Sequence, residues 1–144
     1  MKELPPPVPA AARLALSEAV APAGFKFPQA FKTLIVTDPL PDLSPAYFLT
    51  EFDADAVGDW TRILAKQFPA RVLVPFAKDD NSDDVYCFEG SDASVDPVVL
   101  LIHSFTTPGW EYRGEWDNFE SWLSKTTEWH QEVTREEEGF PPIG

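Results

Sequence analysis

Leu73-Val74-Pro75-Phe76-Ala77-Lys78-Asp79, the polar link Asp80-Asn81-Ser82-Asp83, and Asp84-Val85-Tyr86-Cys87-Phe88-Glu89 form the stretch that decides the fold. Two short runs rich in aromatic and β-branched residues flank a turn-forming connection, which is the pattern of a β-hairpin. The reading predicts strands over 71–76 and 84–89. Pro75 cannot donate to a ladder, so the first strand belongs at an edge, or its proline at a strand end.

On the C-terminal side, Val98 to Phe105 is apolar at both parities, which predicts a central strand covered on both faces. Thr107-Pro108-Gly109-Trp110 has the proline and glycine positions of a type II turn, and 110–113 returns as a short strand. A last helix begins near Asp117 and aligns Phe119, Trp122, Leu123, Trp129 and Val133. On the N-terminal side, Asp53 or Asp55 caps a helix with Val57, Trp60, Leu64 and Phe68 at helical spacing. Before it come a strand over 47–52, a loop with three prolines over 37–45, and helices over 10–20 and from Pro28 through Ile35. The prediction is an α+β fold, an antiparallel or mixed sheet of about 4–6 strands packed with N-terminal helices and a C-terminal helix. Residues 1–9 read as a Pro-rich flexible arm, 10–135 as one domain, and 136–144 as an acidic Pro/Gly tail.

Composition narrows the function. At 144 residues the chain holds one core, and 13% aromatic residues argue against disorder despite the net charge of −13. That charge repels nucleic-acid phosphates and anionic lipid surfaces, so neither is expected as a partner. The single Cys87 excludes an internal disulfide, and the Pro-rich start lacks the apolar core of a signal peptide. A cytoplasmic location is expected.

Motifs for chemistry are few. His103 and His130 stand far apart, with no zinc spacing and no second cysteine, so neither a metal nor a cofactor is expected. His103 reads as a hydrogen-bonded core or cleft residue before a catalytic base, although a His103-dependent enzyme stays as a minor alternative. Cys87 alternates within a strand as a small hydrophobe. No glycine-rich phosphate loop and no nucleophile elbow are present. The run 79–84 fails as an EF-hand, because neither frame from Asp79 nor from Asp80 supplies Gly at position 6 and Glu at position 12. Asp79, Asp80, Asp83 and Asp84 are therefore either a solvated hairpin loop or an acidic contact patch for a basic partner. Trp60, Trp122 and Trp129 are expected in the core. Trp110, Glu111, Glu115 and Trp116 lie in a glycine-punctuated, charged segment, which suits either a protein-binding patch or a clamp between the last helix and the sheet.

The order of these motifs resembles the SUKH superfamily, which joins bacterial immunity proteins to fungal regulators of cell-wall synthesis. The segment 24–31, Gly-Phe-Lys-Phe-Pro-Gln-Ala-Phe, resembles its early G-x-x-hydrophobic-P motif, and 73–79 with 84–89 resembles its central hairpin. The segments 97–104 and 119–123 are similar to its following strand and C-terminal F-x-x-W/F-L helix. Ser82 and Asp83 stand where family members usually carry a glycine before the hairpin aspartate. The resemblance implies an α+β fold, no catalytic constellation, and binding through a cleft. It makes a cytosolic, non-enzymatic immunity protein the leading expectation, one that neutralises a toxin domain, often a nuclease. The alternative is a regulatory or scaffold module that binds a basic or disordered peptide.

Overall fold

A computed structural model describes residues 8–137. Five strands, β1 (Ala46–Phe48), β2 (Leu73–Asp79), β3 (Asp84–Glu89), β4 (Val99–His103) and β5 (Tyr112–Trp116), form one sheet in the order β1-β2-β3-β4-β5. Every neighbouring pair is antiparallel. The helices are α1 (Ala10–Val20), α2 (Gln29–Ile35), α3 (Leu49–Phe52), α4 (Ala56–Gln67) and α5 (Phe119–Glu137). The fold is α+β, with N-terminal helices and a C-terminal helix packed on an antiparallel sheet.

The sheet is covered on both faces by different chemistry. One face carries Phe76, Phe88, Val99 and Tyr86, closed by Phe31 and Ile35 of α2 and by Phe119 and Trp122 of α5. Its rings interlock. Phe76 stacks on Phe88 at 4.5 Å between centroids, and Trp122 meets Phe76 edge-on at 4.8 Å. The other face carries Val85, Cys87, Leu100 and Ile102 under Leu64 of α4 and Phe68. β4 therefore supplies apolar side chains to both layers, as its unalternating sequence requires.

Pro75 sits in the part of β2 that the three-residue β1 does not reach, beside an irregularity between Pro75 and Ala77. Its missing N–H thus costs no ladder bond to β1. The expected strand over 47–52 is instead β1 followed by the helical turn α3. Phe48, Leu49 and Thr50 are buried in succession. The pairing of β1 with β2 ends at Phe48, opposite Ala77, and the chain turns into the helix there.

Trp129, expected in the core, is 37% exposed, because the second half of α5 lies beyond the aromatic layer that buries Phe119 and Trp122. At the N-terminus, Val8 is buried and donates its N–H to the Glu51 carbonyl at 3.0 Å, so packed structure begins inside the expected arm. Glu136 and Glu137 continue α5 into the expected tail. The rest of the arm and tail, 1–7 and 138–144, lies outside the described residues. No helix among the described residues is long and apolar enough to cross a membrane.

Candidate functional site

The antiparallel register fixes which loops meet. Asp84 pairs with His103, so the β2–β3 turn and the β4–β5 connection leave the sheet at the same end. They are tied together there. The Ser104 N–H and Oγ both donate to the Asp83 carbonyl, at 3.0 and 2.6 Å. His103 Nδ1 lies 2.8 Å from Asp84 Oδ1. The loop 40–45 joins the same end through the Asp80 N–H, which donates to the Pro45 carbonyl at 2.8 Å.

The acidic turn is ordered by its own chain. Lys78 Nζ donates to the carbonyls of Asp79 and Ser82, at 3.0 and 2.6 Å, and lies 5.4 Å from the centroid of Trp60. The Asp79 carboxylate accepts the Asn81 N–H at 2.8 Å. Asp80 and Asp83 are left exposed, while Asp79 and Asp84 are partly covered. A lysine bonded to carbonyls leaves the neighbouring carboxylates available to an outside cation.

The aromatic-acidic segment divides. Trp110 is 71% exposed at the end of the predicted turn, with its N–H donating to the Thr107 carbonyl at 3.0 Å and Gly109 at φ +104°. Trp116 instead packs on Tyr86 at 5.8 Å and belongs to the aromatic layer, so it clamps rather than displays. Glu115 lies beside it on β5, away from the acidic turn, and accepts from the Tyr112 hydroxyl at 2.6 Å.

Glu111 is not on the surface. It is 5% exposed, receives Arg71 Nε at 2.6 Å, and accepts the Gly109 N–H at 2.6 Å. The Arg71 hydrogen bond holds its carboxyl below the usual range, against the opposing effect of burial. Glu111 therefore positions the Trp110 turn.

Phe105 is the residue that sequence reading missed. The sequence pattern places it at the end of a strand, yet it lies just past β4 with φ +58°, in the left-handed region that bulky residues avoid. Its N–H is fixed by Gln67 Oε1 at 2.7 Å, its ring meets Trp60 at 6.2 Å, and 65% of it faces solvent. Strain of this kind persists where surrounding structure over-determines it, and it concentrates at functional positions. Nothing in the linear pattern signals it.

Reactive groups are closed off. Cys87 is fully buried, and burial, with Glu89 adding to it, pushes its thiol up. Burial first, then Asp79 and Asp84, pushes the Tyr86 hydroxyl up to about 12. Ser104, beside His103, points its hydroxyl at a carbonyl. Among the described residues no group of three or more His, Cys, Asp and Glu side chains gathers as a metal site.

The chain matches no protein-family model, and neither curated proteins nor solved structures give a significant match.

Proposed function

We propose that this chain is a non-enzymatic, cytoplasmic protein-binding domain that docks its acidic and aromatic sheet end on a basic protein surface. In the manner of SUKH immunity proteins, the partner is a toxin domain whose active surface is covered. One observation carries the reading: the strained, exposed Phe105 directly follows Ser104, whose N–H and Oγ are bonded to the Asp83 carbonyl, so an exposed ring stands at the acidic turn, and exposed Trp110 follows in the same connection. Aromatic anchors slow dissociation once desolvated, and the surrounding carboxylates steer a basic partner inward. The closed state of Cys87, Tyr86 and Ser104 supports a binding role over nucleophilic catalysis.

The test begins with affinity capture from the native cell. The captured protein should be basic, should arrest growth when produced alone, and should be harmless when co-produced with this chain. Its association rate should fall with salt, and Asp80→Lys with Asp83→Lys should lower it by about tenfold or more at low ionic strength. An unchanged rate would remove the acidic turn from the interface. Hydrolase activity that His103→Ala abolishes would overturn the non-enzymatic reading.

A further inference from the structure

The opposite end of the sheet has its own chemistry. The chain carries 11 Lys and Arg residues, and most of those described are engaged. Arg13 donates to the Ile35 and Thr37 carbonyls, Arg71 binds Glu111, Lys78 binds its own turn, and Arg113 donates to the Trp110 carbonyl. Arg62 and Lys125 pair with Asp59 and Glu128, and Arg135 is likewise engaged. Among the described residues, the Lys26, Lys32 and Lys66 side chains are the lysine and arginine groups that make no hydrogen bond, ion pair or ring contact. Two of these three line one cleft.

That cleft encloses about 650 Å³ between the α1–α2 turn and the β3–β4 connection. Phe25 in its apolar wall is held by a turn and by ring packing. The Phe25 N–H closes a turn onto the Pro22 carbonyl at 3.1 Å with Gly24 at φ +80°, and the Phe25 ring rests on Phe27 at 5.0 Å and Phe88 at 6.0 Å. Val95 faces it from the β3–β4 connection and is largely exposed. Gln29 adds an amide, and Glu18 is the one acid in the lining. The volume falls within the range of small-molecule sites, roughly 300–1,000 Å³. Along β3 the cleft lies roughly 17 Å from the acidic turn, taking about 3.3 Å per residue. Physiological salt screens charge over about 8 Å, so the acidic end does not cancel the lysines.

We propose that this cleft binds a small organic monoanion with a planar apolar body. The anionic group sits between Lys26 and Lys32, and the ring lies between Phe25 and Val95. Glu18 is set against the two lysines within the lining, which disfavours a dianion relative to a monoanion. Ammonium groups beside an apolar wall, with no ion pair to break, are already organised for such a ligand. The inference does not depend on the protein-binding role of the other end.

The test uses 8-anilinonaphthalene-1-sulfonate, a monoanion of this shape, against N-phenyl-1-naphthylamine, its uncharged counterpart. Fluorescence titration should saturate at one site per chain, and amide shifts should centre on residues 23–26, 32 and 95. Lys26→Met with Lys32→Met should weaken the sulfonate by about tenfold or more, as loss of a charge-assisted contact does, and leave the neutral compound unaffected. Val95→Asp, at an exposed position, keeps both lysines and should also weaken the sulfonate. Shifts centred elsewhere, no saturable binding, or equal affinity for the parent chain and both variants would overturn the proposal.

Discussion

The two ends of the sheet share one aromatic layer and differ in what they do with charge. At the end where β2 turns into β3, a lysine is bonded to carbonyls, the carboxylates Asp80 and Asp83 are left to solvent, and the turn is tied through Ser104 to the connection that carries Phe105 and Trp110. At the other end, Lys26 and Lys32 stand unpaired beside the fixed ring of Phe25. Net charge describes neither end. A chain of −13 leaves carboxylates exposed at one end and lysines unpaired at the other, because pairing within the fold decides which charges remain available.

The strongest way to break the comparison is to remove what both ends share. Trp122 is fully buried and meets Phe48, Phe76, Tyr86 and Phe119, so Trp122→Ala should cost about 3–5 kcal/mol in denaturant unfolding and disable both ends together. Loss at one end only would mean that the ends fold on separate supports.

Glu111→Gln acts on the connection that carries Trp110, through Arg71, which precedes β2 and stands near Pro22. It leaves Arg71 without its anion and should cost about 2–4 kcal/mol, while binding in the lysine cleft persists at temperatures where the variant is folded. The pH dependence has a definite sign. The Glu111 carboxyl is held lower in the folded chain than in the unfolded chain, so its contribution is complete above the ordinary carboxylate range. It disappears as pH falls through the folded value. Parent and variant stabilities should therefore converge as pH drops into the acid range, as urea titrations at several pH values would record.

The smallest expected change in stability is the most informative about function. Phe105→Gly relieves about 1–2 kcal/mol of left-handed strain, against about 0.5–1.5 kcal/mol for the lost Trp60 contact and about 0.5–1 kcal/mol of added chain entropy. Stability should thus move between a gain of about 1 kcal/mol and a loss of about 1.5 kcal/mol, unlike the loss of a core phenylalanine. A loss of 3 kcal/mol would make Phe105 a packing residue and remove the reason to place it at an interface.

Much of this fold is legible in sequence where a local rule and its structural consequence coincide. Helix α1 over 10–20 and strand β3 over 84–89 have the predicted bounds, and the Pro108-Gly109 turn forms with glycine at positive φ. The site is less legible, because it depends on which loops the sheet register brings together. Trp110 and Trp116 share one charged segment, yet only the position of β5 over Tyr86 separates a displayed ring from a clamp. Glu111 looks like its acidic neighbours until Arg71, 40 residues away, is folded onto it. Phe105 continues an apolar run, and no residue pattern announces that the chain leaves the strand there in a left-handed turn. The free lysines are equally silent, since being unpaired is a property of the whole fold.

The central claim is that the end carrying Asp80, Asp83, Phe105 and Trp110 is a protein-binding surface. Amide hydrogen exchange of the chain, free and bound to the protein it captures from its native cell, tests it directly. Protection should rise over 80–84 and 104–111 and stay unchanged over 21–29 and 90–97. Unchanged exchange at 80–84 and 104–111 in the complex, or the lack of any captured protein, would contradict the claim.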